Sequence, residues 1–216
     1  MPAFRWLFHF LENRLCCSEE GRAADVLFVL AGRMDRKFAA LMLFRQGIAP
    51  RLLVSVGRFE IRPFSKMPLP VPVDLLEMAR PTAPAKRHFF VLFEAGSAEV
   101  EYVRPGRLGT LTEIAALSRW LQLRPEVQSL LILSNGIHLR RVRLCCRFLL
   151  PARIRATFLE SPASSREAEG AGALLLELAK LAVYWILLGI GGRAIAGRRA
   201  PGRTRQGGMP NATNGG

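Results

Sequence analysis

The chain has 216 residues, half of them hydrophobic, which suits one ordinary domain with terminal extensions and excludes a disordered chain away from the ends. A formal net charge of +14 and a pI near 11.2 favour an anionic partner such as a phosphorylated ligand or an anionic lipid. Nucleic acid is disfavoured: no RNA-binding aromatic motif or zinc-finger spacing occurs, and Arg193, Arg198, Arg199, Arg203 and Arg205 place much of the charge in an acid-free tail over 191–216.

The cysteines form two adjacent pairs, Cys16-Cys17 and Cys145-Cys146, without the C-x-x-C spacing of zinc or redox sites, and read as small buried thiols in a reducing compartment. Residues 1–22 read as an amphipathic extension. Arg5, His9, Glu12 and Arg14 break its apolar run too soon for a secretory signal, so a cytoplasmic protein is expected, with membrane association left open.

The run from Ala23 to Gly32 predicts a central parallel strand covered on both faces. A helix from about Asp35 to Gln46 follows, with Phe38, Leu41, Met42 and Phe44 as its core stripe and Gly47 as its stop. Ala49–Gly57 is a second strand, completing a right-handed βαβ unit. Prolines at 63, 68, 70, 72, 81 and 84 then disrupt residues 58–87, where only Val73–Ala79 predicts a short helix. This insertion leaves the carboxyl end of a strand and reads equally as a lid or as a passive loop.

His88–Glu94 and Ala98–Val103 are strands that pair as a hairpin or belong to separate parts of the sheet. Thr110–Gln122 predicts a helix, with Thr110 and Glu113 at capping-box spacing. Leu131–Ser134 is a buried strand that turns through Asn135-Gly136 into a helix reaching about Leu149, and Arg153–Leu159 is a further strand. The apolar segment 171–190 approaches bilayer-spanning length, but Glu177 and Lys180 near its middle favour a buried or interfacial helix.

Chemistry concentrates at the carboxyl ends of the expected strands. His138 and Arg141 share the first turn of a helix whose free N–H groups and positive dipole end favour an anion. Arg141 offers a bidentate fork and His138 a proton acceptor or donor, although a lone histidine at such a junction more often caps or packs. Glu113 is either a capping residue or a carboxylate able to orient His138. The first turn lacks the glycines of a dinucleotide fingerprint, and three scattered histidines have no metal-ligand spacing, so no metal is expected.

In order and spacing these elements resemble the YdcF-like family, grouped with SanA and ElyC. The similarity is carried by Val29–Gly32, Arg36, Gly47-Ile-Ala-Pro50, Leu53–Gly57, Gly109-Thr-Leu-Thr-Glu113, Leu133–Val142 and Glu177–Tyr184, and spans about residues 24–190. The family usually has a glycine where this chain has Ala31, and a longer first turn. The resemblance implies a single α/β domain over 23–190, Rossmann-like and three-layered, with a mainly parallel sheet. It also implies a basic crevice, a tie to bacterial cell-envelope processes and, as a candidate cofactor, S-adenosylmethionine. In that crevice Gly32, Arg36, Ser55, Thr110, Ser134 and Arg141 would bind a small anionic or phosphate-bearing ligand, with His138 and Glu113 as the catalytic pair. Whether a reaction follows is open. The competing reading is a non-catalytic membrane-associated scaffold attached through 171–190 and the tail, or a degenerate relative.

Overall fold

The computed structural model describes residues 24–104, 106, 109–161, 180 and 182–184. The extension over 1–22, the tail over 191–216 and nearly all of the apolar segment 171–190 lie outside the described residues.

The chain is an α/β protein built on one mixed sheet of six strands in the order β4-β3-β2-β1-β5-β6. The strands are β1 (Val26–Val29), β2 (Arg51–Gly57), β3 (His88–Glu94), β4 (Ser97–Tyr102), β5 (Ser129–Ser134) and β6 (Arg155–Glu160). β2, β1, β5 and β6 run parallel; β3 and β4 form an antiparallel hairpin against β2. The helices are α1 (Met34–Arg45), α2 (Ile61–Phe64), α3 (Leu75–Ala79), α4 (Gly109–Gln122) and α5 (Gly136–Leu149).

Alternation along the parallel strands sends side chains to two apolar clusters. Leu27, Val29, Leu52, Val54, Leu131 and Leu133 pack with Ala40, Leu41 and Leu43 of α1 on one face. Val26, Phe28, Leu53, Leu130 and Ile132 pack with Ile114, Leu117 and Trp120 of α4 and Val142 of α5 on the other. β1 and β2 are adjacent and parallel, as expected of the βαβ unit.

The Pro-rich segment explains why the sheet is mixed. A parallel third strand would need a crossover back to the far end of the sheet, usually a helix of a dozen or more residues, and the prolines forbid one. The chain makes two short helices instead and re-enters at the carboxyl edge of β2, so Gly57 pairs with His88. The segment is packed, burying Ile61, Phe64, Met67, Leu75 and Ala79 in the first cluster. Asp74 caps α3 by accepting from Glu77 N at 3.0 Å. At the other end of the hairpin, Ala95 and Gly96 have φ of 39° and 81°, the two positive values that a tight primed turn requires.

The core stripe of α1 differs from the expected one. Phe38 is 47% exposed, whereas Arg36, Lys37, Ala40, Leu41 and Leu43 are buried. The helix is rotated because its first turn is drawn inward by two carboxylates, a tertiary interaction outweighing the apolar pattern.

Strand order reverses between β1 and β5: the chain moves outward from β1 to β2, then returns to β5 on the other side and continues to β6. At such a switch point the loops diverge and leave a crevice at the strands' carboxyl ends. The opposite end is held by Asp25, whose Oδ2 accepts from Gln128 N at 2.8 Å, Ser129 N at 2.7 Å and Ser129 Oγ at 2.8 Å. Burial pushes the Asp25 carboxyl up, but these bonds and Arg51 outweigh it and hold it below its ordinary value. A depressed carboxyl stabilises the fold above its unfolded value and loses that contribution as pH falls through the folded one. Asp25→Asn should therefore be less stable than wild type at pH 7, with the gap closing below about pH 4. Urea melts across that range check this; a gap that persists undiminished into acid contradicts it.

Candidate functional site

At the end of β1 the backbone turns through Ala31 and Gly32, the latter with φ of 126°, a conformation that side chains rarely adopt. A Cβ there would collide with the Arg36 guanidinium, so glycine is required for close approach as well as for backbone freedom.

Two buried carboxylates occupy the amides of this turn. Glu60, from the start of the Pro-rich segment, accepts from Gly32 N and from Lys37 Nζ (2.8 Å) on Oε1, and from Gly57 N at 2.7 Å on Oε2. Glu113, in the first turns of α4, accepts from Ala31 N at 2.7 Å. α4 begins at Gly109, so Thr110 lies inside the helix, and this Glu113 oxygen serves a neighbouring strand's turn. In a phosphate-binding turn such N–H groups face the ligand. Here the protein's own carboxylates fill that seat.

The cations complete the arrangement. Arg36 donates from Nη2 to Ala31 O at 2.9 Å and from Nη1 to Ser134 Oγ at 3.3 Å, bridging β1 and β5 across the switch point. It is 4% exposed, and its Nε has no hydrogen-bond partner. Burial lowers its pKa, with Glu113, Glu60 and Asp35 opposing that pull. Lys37 is fully enclosed and likewise lowered by burial, with Glu60 opposing it.

On the β5 side Ser134 is fully buried and Asn135 is 2% exposed. Asn135 is the N-cap of α5 by backbone geometry, yet its side chain makes no cap bond and Oδ1 has no partner. One turn on, the His138 Nδ1 and Arg141 Nη2 atoms lie 3.1 Å apart. Arginine only donates, so Nδ1 accepts, and a neutral His138 ring then carries its proton on Nε2. The Arg141 guanidinium also lies 5.7 Å from the ring centroid of Tyr184. Burial raises the Tyr184 pKa, with the Leu111 backbone and the Thr110 side chain opposing that pull.

The sites anticipated from sequence thus fall into three groups. Gly32, Arg36, Glu113 and Ser134 meet at the switch point. His138, Arg141 and Thr110 gather around Tyr184. Ser55 stands apart, fully buried, its Oγ 2.8 Å from Nε2 of His88. Sequence reasoning missed Lys37, Glu60, His88 and Tyr184. Lys37 sat where the stripe predicted a solvated face, Glu60 lay in a segment without periodicity, and His88 reaches Ser55 only through the antiparallel register.

The buried thiols are poor nucleophiles: burial pushes Cys145 up to about 12 and Cys146 higher still. Among the described residues no three His, Cys, Asp or Glu side chains are grouped to hold a metal, and no helix is long and apolar enough to cross a membrane. Comparison with protein-family models, with curated proteins and with solved structures returns no match.

The Lys37–Glu60 pair gives a direct test of the turn. Lys37→Met and Glu60→Gln should each cost about 3–5 kcal/mol, because each leaves a buried charge or bare amides behind. K37M/E60Q should cost clearly less than the two losses added together. Additive losses in urea denaturation would show that the two side chains act independently.

Proposed function

We propose that this chain is a Rossmann-like, three-layer domain of the YdcF-like type that binds a small anionic, phosphate-bearing ligand in the crevice between β1 and β5. The observation that carries this reading is the buried guanidinium of Arg36, whose Nε–H has no partner at the switch point. An unsatisfied buried donor costs about 1–3 kcal/mol, which a ligand oxygen would recover. Asn135, next in the chain to the Ser134 that Arg36 contacts, has a buried and unpartnered Oδ1 acceptor, so a ligand reaching both would carry an acceptor and a hydroxyl, such as a hydrogen phosphate or a sugar phosphate.

In this reading the anion sits toward β5 and α5 rather than on the β1 turn, whose amides are taken by Glu60 and Glu113. Arg36 and Arg141 hold it, with the N-terminus of α5 adding its dipole. Ser134 and Thr110 line the seat. His138, whose Nδ1 accepts from Arg141, is the proton-transfer group of this reading. Glu113 works through Ala31, holding the turn against which Arg36 lies. Gly32 permits that contact, and Ser55 supports the crevice floor through His88.

Isothermal titration with inorganic phosphate, nucleotides and lipid-linked sugar phosphates tests the proposal. At least one should bind, and Arg141→Ala should weaken it about tenfold or more, the scale of a lost charge-assisted hydrogen bond. Absence of binding across the panel, or an Arg141→Ala variant that binds as wild type, would sink the idea.

A further inference from the structure

A second surface, away from the strand-end crevice, carries its own chemistry. α5 contains four arginines and no acid. Arg140, Arg143 and Arg147 are exposed and follow one another at i, i+3 and i+7, which places them on one stripe of the helix. None of the three forms an ion pair or side-chain hydrogen bond with another described residue. Among the other exposed or partly exposed arginines, Arg51 pairs with Glu94 and Glu126, Arg80 with Glu77 and Arg124 with Glu99, whereas Arg58, Arg62, Arg104, Arg119 and Arg155 are single cations spread over separate elements.

The stripe borders an open groove of about 240 Å³ between the carboxyl half of α5 and β6. Arg143 and Arg147 stand at this groove together with Leu150, Ile154 and Phe158, and no acidic residue lines it. The guanidinium of the exposed Arg143 lies over the Phe158 ring at 5.2 Å, a cation–π contact that joins the stripe to the apolar groove. Phe148, next to Arg147, is 40% exposed.

We infer that this face of α5, with the groove beside it, docks on an anionic phospholipid surface. Three uncompensated cations on one stripe require a partner rich in negative charge. An apolar groove and an exposed phenyl ring beside them suit a partner whose interior is apolar, which is how a basic amphipathic surface meets the headgroup–acyl boundary. Nucleic acid fits less well, because apart from the arginines the groove offers Cys, Leu, Pro, Ala, Ile and Phe side chains, none of which reads base edges. The surface is independent of the phosphate seat: Arg141, on another side of the helix, is engaged with His138 and Tyr184.

Co-sedimentation of the full chain with phosphatidylcholine vesicles, with and without phosphatidylglycerol, tests the inference. Wild type should bind only the anionic vesicles. Each arginine near such a surface is worth about fivefold in affinity, so R143E/R147E should lose at least about twentyfold. R62E/R80E makes the same charge change on α2 and after α3, on the opposite sheet face, and should keep most of the binding. Equal losses in the two variants, equal binding to uncharged vesicles, or undiminished binding by R143E/R147E would overturn the inference. So would single-stranded RNA competing the protein off the anionic vesicles, which would assign the stripe to nucleic acid. Titration of R143E/R147E with the phosphate panel reads the strand-end site separately, so either proposal can fail alone.

Discussion

The carboxylate of Glu60 is the constraint on which this end of the sheet depends. One side chain ties the amide after β1, the amide ending β2 and the ammonium of Lys37 in α1. Three elements that the chain visits in succession are thereby clamped at one point. The clamp is buried, so its charges are costly unless they satisfy one another. That requirement turns Arg36 and Lys37 inward, rotates α1 and leaves Phe38 in solvent.

The same clamp limits what the crevice can accept. Arg36 and Lys37 face Glu60 and Glu113, so the β1 turn is close to neutral and its amides are already bonded. An incoming phosphate would have to displace a carboxylate that is held by several donors. The β5 side offers an easier seat: Arg36 Nε, Asn135 Oδ1 and the start of α5 are less completely satisfied. Under the proposed function, the short first turn places the anion toward β5 and α5 rather than on the β1 amides.

Much of the fold was legible from residues alone. Continuous apolar runs identified β1, β2 and β5, and the Ser134-Asn135-Gly136 turn marked where α5 begins. The direction of β3 was not legible, because an apolar run reads the same whichever way it runs. What decides it is the prolines, which bring the chain back at the edge it left. The rotation of α1 was hidden for a different reason: periodicity weighs apolar residues and cannot see a carboxylate arriving from Glu60. His88 and Tyr184 acquire their partners only through sheet register and tertiary packing. Glu113 was read at a strand's carboxyl end, where side chains converge in an open α/β sheet, while Arg36 and Ser134 were picked out through the family resemblance; the fold brings the three together at the switch point.

The central claim is that two internal carboxylates, rather than solvent or ligand, satisfy the amides of the β1 turn and the end of β2. Amide hydrogen exchange read residue by residue tests it most directly. Ala31, Gly32 and Gly57 should exchange as slowly as the strands they adjoin, and Glu113→Gln should release Ala31 far more than Gly57. Exchange of all three at the rate of an open loop in the unmodified protein would contradict the account.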